Sequence, residues 1–444
     1  MRKLFLITSL LLCWVSIQAQ SVYEDVRLYL NSTEGVYQPG DTVSVTARKT
    51  TPGTEAVQMQ FVVYDEVLMQ RELTLSEGDN LILTRVASVP MSVMIKVNPV
   101  HDASMTTSVG YLVAPQEITP GFSNRPNLKS FWNGELTKMR KVAPEVKITP
   151  AVGVSDEDSA IFECYHIEIN MPSGYPCRGY VAYPKDAEPG SLPIYLFVHS
   201  AGVNRPANRA TSSFVISRAR QGYLCLDINA HGYLDDQPQE YYDALNGGEL
   251  KDYASRPFTD ISDYYFHNMY LRDIRALDYA VTLPVWDGKR ILVHGESQGG
   301  GQALAIAGID DRITHCVAIV PAITDIGASL QGRKCGWPSR SNRVYASTPL
   351  GYHVMAYHDG ANLISLFKGR LYMEAGNIDI TCDPAAVWAG YNNAGQVQYK
   401  EIHSWPWRTH SYTNMESRVR DEWSQQIFPY RDAFFKAFLK GIEL

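Results

Sequence analysis

Arg290-Ile-Leu-Val-His-Gly295-Glu-Ser297-Gln-Gly-Gly300-Gly-Gln-Ala-Leu-Ala-Ile-Ala307 is the stretch that decides the fold. The apolar run after Arg290 reads as a buried strand, and the small-residue run after Gly300 reads as a helix. Between them stands Gly-x-Ser-x-Gly. Such a turn holds a serine in a strained backbone conformation with its hydroxyl above the end of a sheet. Glycines are needed on either side because side chains there would collide across the turn. The bland alternative is a glycine-rich connection with a capping serine; the strand, turn and helix context argues against it.

Further apolar runs lie on both sides: Leu192-Pro-Ile-Tyr-Leu-Phe-Val-His199, Tyr223-Leu-Cys-Leu-Asp-Ile228, Cys316-Val-Ala-Ile-Val320 and Gly369-Arg-Leu-Tyr-Met-Glu-Ala375. They are continuous rather than alternating, and helical stretches separate them. That pattern implies a sheet buried on both faces, the doubly wound, mostly parallel α/β architecture, here over residues 116–444. Before it, residues 20–115 read differently. Val43-Ser-Val-Thr46 and Gln58-Met-Gln-Phe-Val-Val-Tyr64 alternate as half-buried strands do. Turn signals at Gln38-Pro-Gly-Asp41, Thr51-Pro-Gly53 and Ser76-Glu-Gly-Asp79 separate such strands. This segment is expected to be an all-β sandwich of immunoglobulin type. It carries no His, Cys or acid cluster, so it is read as a packing or spacer module. Ala114-Pro-Gln-Glu-Ile-Thr-Pro-Gly121 marks the boundary, and an amphipathic helix opens near Asn127.

The first residues read as a secretory signal peptide over 1–19: Arg2 and Lys3, an apolar Leu4–Ile17 core, and Ala19 at a cleavage site. Cys13 follows Leu11 and Leu12, which is not the small-residue context of a lipid anchor. Export to the periplasm or the medium is therefore expected. The 444 residues carry 40 Lys+Arg and 47 Asp+Glu, a net −7; without Arg2 and Lys3 the balance becomes 38 against 47, or −9. With no Lys/Arg block, nucleic acid is excluded as a partner. After the leader no run reaches the ~18 apolar residues of a membrane span. At 45% hydrophobic and 20% charged, the chain has the composition of an ordinary folded protein. Six cysteines follow the leader, at 164, 177, 225, 316, 335 and 382, scattered and without a C-x-x-C pair. They make neither a disulfide framework nor a zinc signature. Cys225 and Cys316 sit in apolar runs and read as buried. Whether Cys164 pairs with Cys177 across neighbouring strands is open.

A serine nucleophile needs a base, and the base needs an orienting acid. On this kind of turn the chain order is Ser, acid, His. Asp379 follows an apolar strand and is the stronger candidate acid. Asp383, directly before Pro384-Ala-Ala-Val-Trp388, reads instead as a helix N-cap. His410, in Ser404-Trp-Pro-Trp-Arg-Thr-His410 after the strand begun at Gln396, is the preferred base. His403 sits at the end of the strand itself and reads as a packing or surface histidine. Two N–H donors must meet the oxyanion: the backbone N–H of Gln298 and one from the loop after Val198, where Ala201 is preferred over Ser200. His199 reads as a brace for that loop.

With these residues in view, the chain from about 120 to 440 resembles the acetyl xylan esterase / cephalosporin C deacetylase family of α/β-hydrolases. The resemblance is carried in family order by five stretches. They are Asn127-Leu-Lys-Ser-Phe-Trp132, Tyr264-Tyr-Phe-His-Asn-Met-Tyr-Leu-Arg-Asp-Ile-Arg-Ala-Leu-Asp-Tyr279, Gly295-Glu-Ser-Gln-Gly-Gly300, the Gly376–Asn392 segment and Trp405-Pro-Trp-Arg-Thr-His410. The resemblance implies that Ser297, Asp379 and His410 form a triad and that Ala201 and Gln298 supply the oxyanion donors. It also implies an acylated carbohydrate as substrate, no metal or cofactor, and assembly into homo-oligomers. Three departures stand out. Asn229-Ala-His231-Gly232 replaces the family's Arg-Gly-Gln-Gly. His199-Ser200-Ala201 replaces its usual His-Gly-Tyr, which implies a roomier acyl pocket. His410-Ser411 replaces its His-Glu ending. The N-terminal β segment is additional to the basic family architecture.

The expectation is an exported serine esterase removing acetyl or other acyl groups from carbohydrate such as xylan fragments. A serine peptidase, or an esterase for larger acyl groups, is the first alternative. A carbohydrate-binding protein on the same fold without catalysis is the second.

Overall fold

The computed structural model describes residues 21–412, 415 and 417–443. The leader read over 1–19 lies outside the described residues.

Nine strands come first: β1 (Ser21–Val22), β2 (Val26–Leu30), β3 (Val36–Tyr37), β4 (Thr42–Lys49), β5 (Glu55–Val63), β6 (Glu66–Leu75), β7 (Gly78–Val86), β8 (Met91–Pro99) and β9 (Met105–Val113). They make two sheets. One is β2-β4-β7; the other runs β1-β9-β8-β5-β6 with β3 also on β9. Alternate residues of both sheets point into one core: Leu28, Val43, Val45 and Leu83 from the first, and Val57, Met59, Phe61, Ile95, Val97 and Val109 from the second. This is the expected sandwich. Strand β6 lies beside β5 instead of joining the first sheet.

The second half builds a nine-stranded sheet from β10 (Val146–Pro150), β11 (Phe162–Ile169), β12 (Cys177–Pro184), β13 (Leu192–Val198), β14 (Leu224–Ile228), β15 (Trp286–Glu296), β16 (His315–Ile319), β17 (Arg370–Gly376) and β18 (Tyr399–Trp405). The order is β10-β11-β12-β14-β13-β15-β16-β17-β18. It is antiparallel from β10 to β14 and parallel from β14 to β18. The continuous apolar runs are explained by the period of two. Ile194, Leu196, Ile291, Val293, Cys316, Ala318, Leu371 and Met373 face one core, beneath the helices Tyr265–Ala280 and Gln298–Ile309. Tyr195, Cys225, Leu292, Val317, Ile319 and Tyr372 face the other, against Val215, Phe434 and Phe438 of the helices Ser212–Ala219 and Ser417–Lys440. Both faces are buried, as α/β packing requires.

All six cysteines of the described residues are free thiols. Cys164 and Cys177 do lie on neighbouring strands. However, Cys164 pairs with Ala182 and Cys177 with Ile169, five rungs apart, or about 16 Å at 3.3 Å per residue. They are too distant to bond.

Candidate active site

The parallel strands β15, β17 and β18 each end at the same edge of the sheet and each delivers one side chain of the site. Strand β15 ends at Glu296, the next helix begins at Gln298, and Ser297 between them has φ 57° and ψ −119°. An L-residue tolerates that φ only where its surroundings hold it. Here the Ser297 N–H donates to the Ile319 carbonyl (2.9 Å), and its own carbonyl accepts from Ala322 (2.8 Å) and Gly301 (3.1 Å). The flanking glycines are steric necessities. A Cβ on Gly295 would sit 2.3 Å from the Gly299 backbone, and one on Gly299 would sit 2.1 Å from the Val198 carbonyl oxygen.

The acid and base loops continue the pairing of β17 with β18. Gly376 lies opposite Trp405, then the Asn377 N–H donates to the Trp405 carbonyl (3.0 Å) and the Ile378 N–H to the Arg408 carbonyl (3.2 Å). This zipper sets Asp379 beside His410. His410 Nδ1 lies 2.7 Å from Asp379 Oδ2, and His410 Nε2 lies 2.8 Å from Ser297 Oγ. The other Asp379 oxygen accepts from the backbone N–H groups of Thr381 and Cys382, both at 2.8 Å. The Asp379 side chain is wholly buried, while the His410 side chain is 22% exposed. The carboxylate is therefore fixed and screened from solvent, and the imidazole reaches the surface. Asp379, His410 and the Cys382 thiol also offer ligand atoms within 4.8 Å of one another. The imidazole Nδ1, however, is already engaged by the carboxylate.

The competing candidates fall elsewhere. Asp383 caps the helix Pro384–Asn393: its Oδ1 accepts from the Ala385 N–H (2.9 Å) and from the Ser92 hydroxyl (2.8 Å). Burial pushes its pKa up to about 6. His403 lies inside β18, 3.0 Å from Glu401 and against the rings of Tyr372 and Tyr430. His199 is buried with Nε2 2.5 Å from Asp227, whose other oxygen accepts the Thr211 N–H (2.9 Å). It braces the loop after β13. That loop is brought to the serine turn by pairing of Val198 with Gly295. The Ser200 hydroxyl donates to the Glu296 carbonyl (2.8 Å), Gln302 donates to the His199 carbonyl (3.1 Å), and Asn208 fixes the Ala201 carbonyl. The loop that carries Ala201 is thus tied to the strand end that leads into Ser297 and Gln298.

Sequence reasoning missed the layer behind Gln298. The Tyr253 hydroxyl donates to the Gln298 side-chain carbonyl. The Tyr253 ring lies 4.4 Å from that of His231, whose Nδ1 is 2.7 Å from the Tyr265 hydroxyl. Burial, with Arg272 and Arg256 nearby, drives the His231 pKa down to about 3, so the ring is neutral. Asn229 accepts from the Ala210 N–H (3.0 Å) and donates to Asp235. The Asn229–Gly232 segment therefore braces the layer behind Gln298.

A family profile described as acetyl xylan esterase (AXE1) matches residues 120–426. The chain belongs to the acetyl xylan esterase family. Acetyl esterase Axe7A of Xylanibacter ruminicola is 30% identical over 286 residues, 63% of this chain and 62% of that one. The match thus spans about three fifths of this curated relative. Among solved structures, the acetyl xylan esterase from Paenibacillus sp. R4 superposes with a TM-score of 0.54 at 23% identity, over 71% of this chain and 98% of that one. Acetyl xylan esterase 1 from Thermoanaerobacterium sp. JW/SL YS485 gives 0.53 at 21% identity, over 70% and 96%. These likenesses establish the α/β-hydrolase fold of this family member.

Proposed function

We propose that this chain is an exported serine esterase that removes acetyl or other acyl groups from carbohydrate such as xylan fragments. The observation that carries the reading is the Ser297–His410–Asp379 relay, with contacts of 2.8 and 2.7 Å at the end of a parallel sheet. Ser297 Oγ attacks the acyl carbonyl while His410 Nε2 takes its proton. Asp379 holds the tautomer that leaves Nε2 free and stabilises the imidazolium that forms. The backbone N–H groups of Ala201 and Gln298 are assigned as the donors to the oxyanion. The sugar hydroxyl leaves with the proton from His410, and water then releases the acyl group from Ser297. Family membership supports an acylated carbohydrate as substrate, and the Arg2-Lys3 leader pattern supports export. Among the described residues no helix is long and apolar enough to cross a membrane.

The test is hydrolysis of acetylated xylo-oligosaccharides, aryl esters and aminoacyl amides by wild type and Ser297→Ala. Release of acetate from the sugars, abolished in Ser297→Ala with unchanged thermal unfolding, is expected. Turnover of amides alone would replace the reading with a peptidase. Retention of more than about a hundredth of the activity by Ser297→Ala would remove the nucleophile.

A further inference from the structure

The sandwich touches the catalytic half at the two loops that carry Asp379 and His410. Gly110 of β9 is pressed between both: its N–H donates to the Pro406 carbonyl (2.8 Å), and a Cβ on it would lie 2.0 Å from the Asn377 carbonyl oxygen. The His410 loop is held again at Trp407, whose indole N–H donates to the Leu28 carbonyl of β2 (2.9 Å) beneath the Arg27 guanidinium, 5.2 Å from the ring. The Asp379 loop is held at Ser92, which donates to Asp383 (2.8 Å). It is held again at Asp65, which pairs with Lys334 Nζ at 2.6 Å. Lys334 in turn donates to the carbonyl of Ile380, the residue after Asp379. Asp65 lies with Tyr64 in the two-residue turn between β5 and β6, and both have positive φ, 50° and 70°. Neither is glycine, and a strained turn of that kind persists where its contacts hold it. Tyr64 packs on Ile118, Ala385 and Ala389, and Asp65 makes the ion pair. The serine turn is held differently, by β16 and the segment after it.

We propose that the N-terminal sandwich is a positioning element of the active site, holding the Asp379 and His410 loops in register with Ser297. The inference rests on the triad reading above. The clamps join residues 291 apart in the chain (Ser92 and Asp383) and 379 apart (Leu28 and Trp407). A relay of this kind works within about 0.5 Å of its productive geometry, and a displacement of ~1 Å costs about 100-fold in rate. Slackening the clamps therefore lowers the chemical step without altering how substrate is bound.

The experiment uses the full chain with Ser92→Ala, Asp65→Asn and Trp407→Phe, singly and together. Ser92→Ala removes a hydroxyl donor, Asp65→Asn removes the charge of the ion pair at nearly constant volume, and Trp407→Phe removes the indole N–H with the five-membered ring; Asn tolerates the left-handed turn at 65. Active sites are titrated with a fluorophosphonate, and kcat per titrated site and KM are measured on an aryl acetate. The triple variant is expected to lose ~30-fold in kcat per titrated site, with KM within about twofold of wild type. Each single variant is expected to lose ~3-fold. A purely structural role would reduce the number of titratable sites and leave kcat per site unchanged; that outcome overturns the proposal. If the triple variant fails to fold, unchanged per-site kcat in all three single variants does the same. A wild-type protein that neither takes the label nor hydrolyses the ester overturns the triad reading, and this inference with it.

Discussion

Asp379→Asn separates an orienting carboxylate from a merely buried one. One Asp379 oxygen accepts two backbone N–H groups, from Thr381 and Cys382 at 2.8 Å each, and the other faces His410 Nδ1 at 2.7 Å. An asparagine has one acceptor and one donor end. Turning its NH2 toward the backbone would leave two buried N–H groups without acceptors, at about 1–3 kcal/mol each. The amide oxygen therefore stays with the backbone, and the NH2 points at His410 Nδ1. The imidazole must then accept at Nδ1 and carry its proton on Nε2, facing Ser297, where it cannot act as a base. The same change made in a serine protease triad costs ~10⁴ in kcat, about 5 kcal/mol at 1.36 kcal/mol per tenfold. That is the loss expected here, with KM little changed. Asp383→Asn is the control. Its single Oδ1 takes both the Ala385 N–H and the Ser92 hydroxyl, and an amide oxygen serves equally. Its burial raises the carboxyl to about 6, so a neutral amide removes an unfavourable charge. Its kcat is expected within about threefold of wild type. The assay is kcat on an aryl acetate per titrated active site. If Asp379→Asn retains more than a hundredth of wild-type kcat, or ranks above Asp383→Asn, the acid is misassigned.

Two further outcomes are expected. Ala201→Tyr should narrow acyl preference toward acetyl, because a phenol ring would fill space that longer chains use at ~25 cal/mol per Å² of apolar surface. The oxyanion N–H is backbone and stays. Unchanged kcat/KM ratios for acetate, butyrate and octanoate esters would show that another group bounds the pocket. His231→Gln should make the fold less sensitive to acid. The imidazole is held neutral with its pKa down to about 3, against ~6.5 in the unfolded chain. The unfolded state thus binds the extra proton, and stability falls as pH drops below ~6.5, by about 1.4 kcal/mol per pH unit. Between pH 7 and 4.5 the variant should lose ~2–3 kcal/mol less than wild type in urea unfolding; parallel pH curves would refute the burial argument.

The serine turn was legible because its constraint is local: a strand, a strained residue and a helix within eighteen residues leave few alternatives. Asp379 stands just past an apolar strand and His410 past a mixed one, in the order the turn demands, and the structure brings their side chains together. The limits of β18 were not legible. The run from Gln396 has no marker at its start; the strand begins at Tyr399 and extends past His403 to Trp405, drawn on by pairing with β17. The sandwich read as a spacer because its contacts with the loops are tertiary. Tyr64 and Asp65 carry no turn signature, and Ser92 is an ordinary strand serine. One signal was available: Gly110 interrupts the interior of β9, and a glycine there often marks a close backbone approach. Tyr253 behind Gln298 had none, since it lies in a short helical turn 45 residues before its partner.

The placing of the clamps follows from the position of each loop in the sheet. Strand β15 is central, with β13 and β16 on its two sides, and the helix after Ser297 is buried along its whole length. The serine turn therefore inherits a rigid frame. Strand β18 is the last in the order. It has a partner on one side, and all of its residues but Trp405 are only partly buried. A loop leaving such an edge has half the neighbours of one leaving the centre, and the local free energy of opening is correspondingly small. The His410 loop is wedged instead between two added surfaces. On one side the C-terminal helix packs Val419, Trp423 and Ile427 against Trp405, with Arg408 5.1 Å from the Trp423 ring. On the other stand β2 and β9 of the sandwich. Glu422 of that helix is bonded by Arg27 of β2 at 2.6 and 3.1 Å, so the two surfaces are tied to each other across the loop. His410, the proposed base, with a side chain that reaches the surface, is thus held from both sides by parts of the chain remote from Ser297.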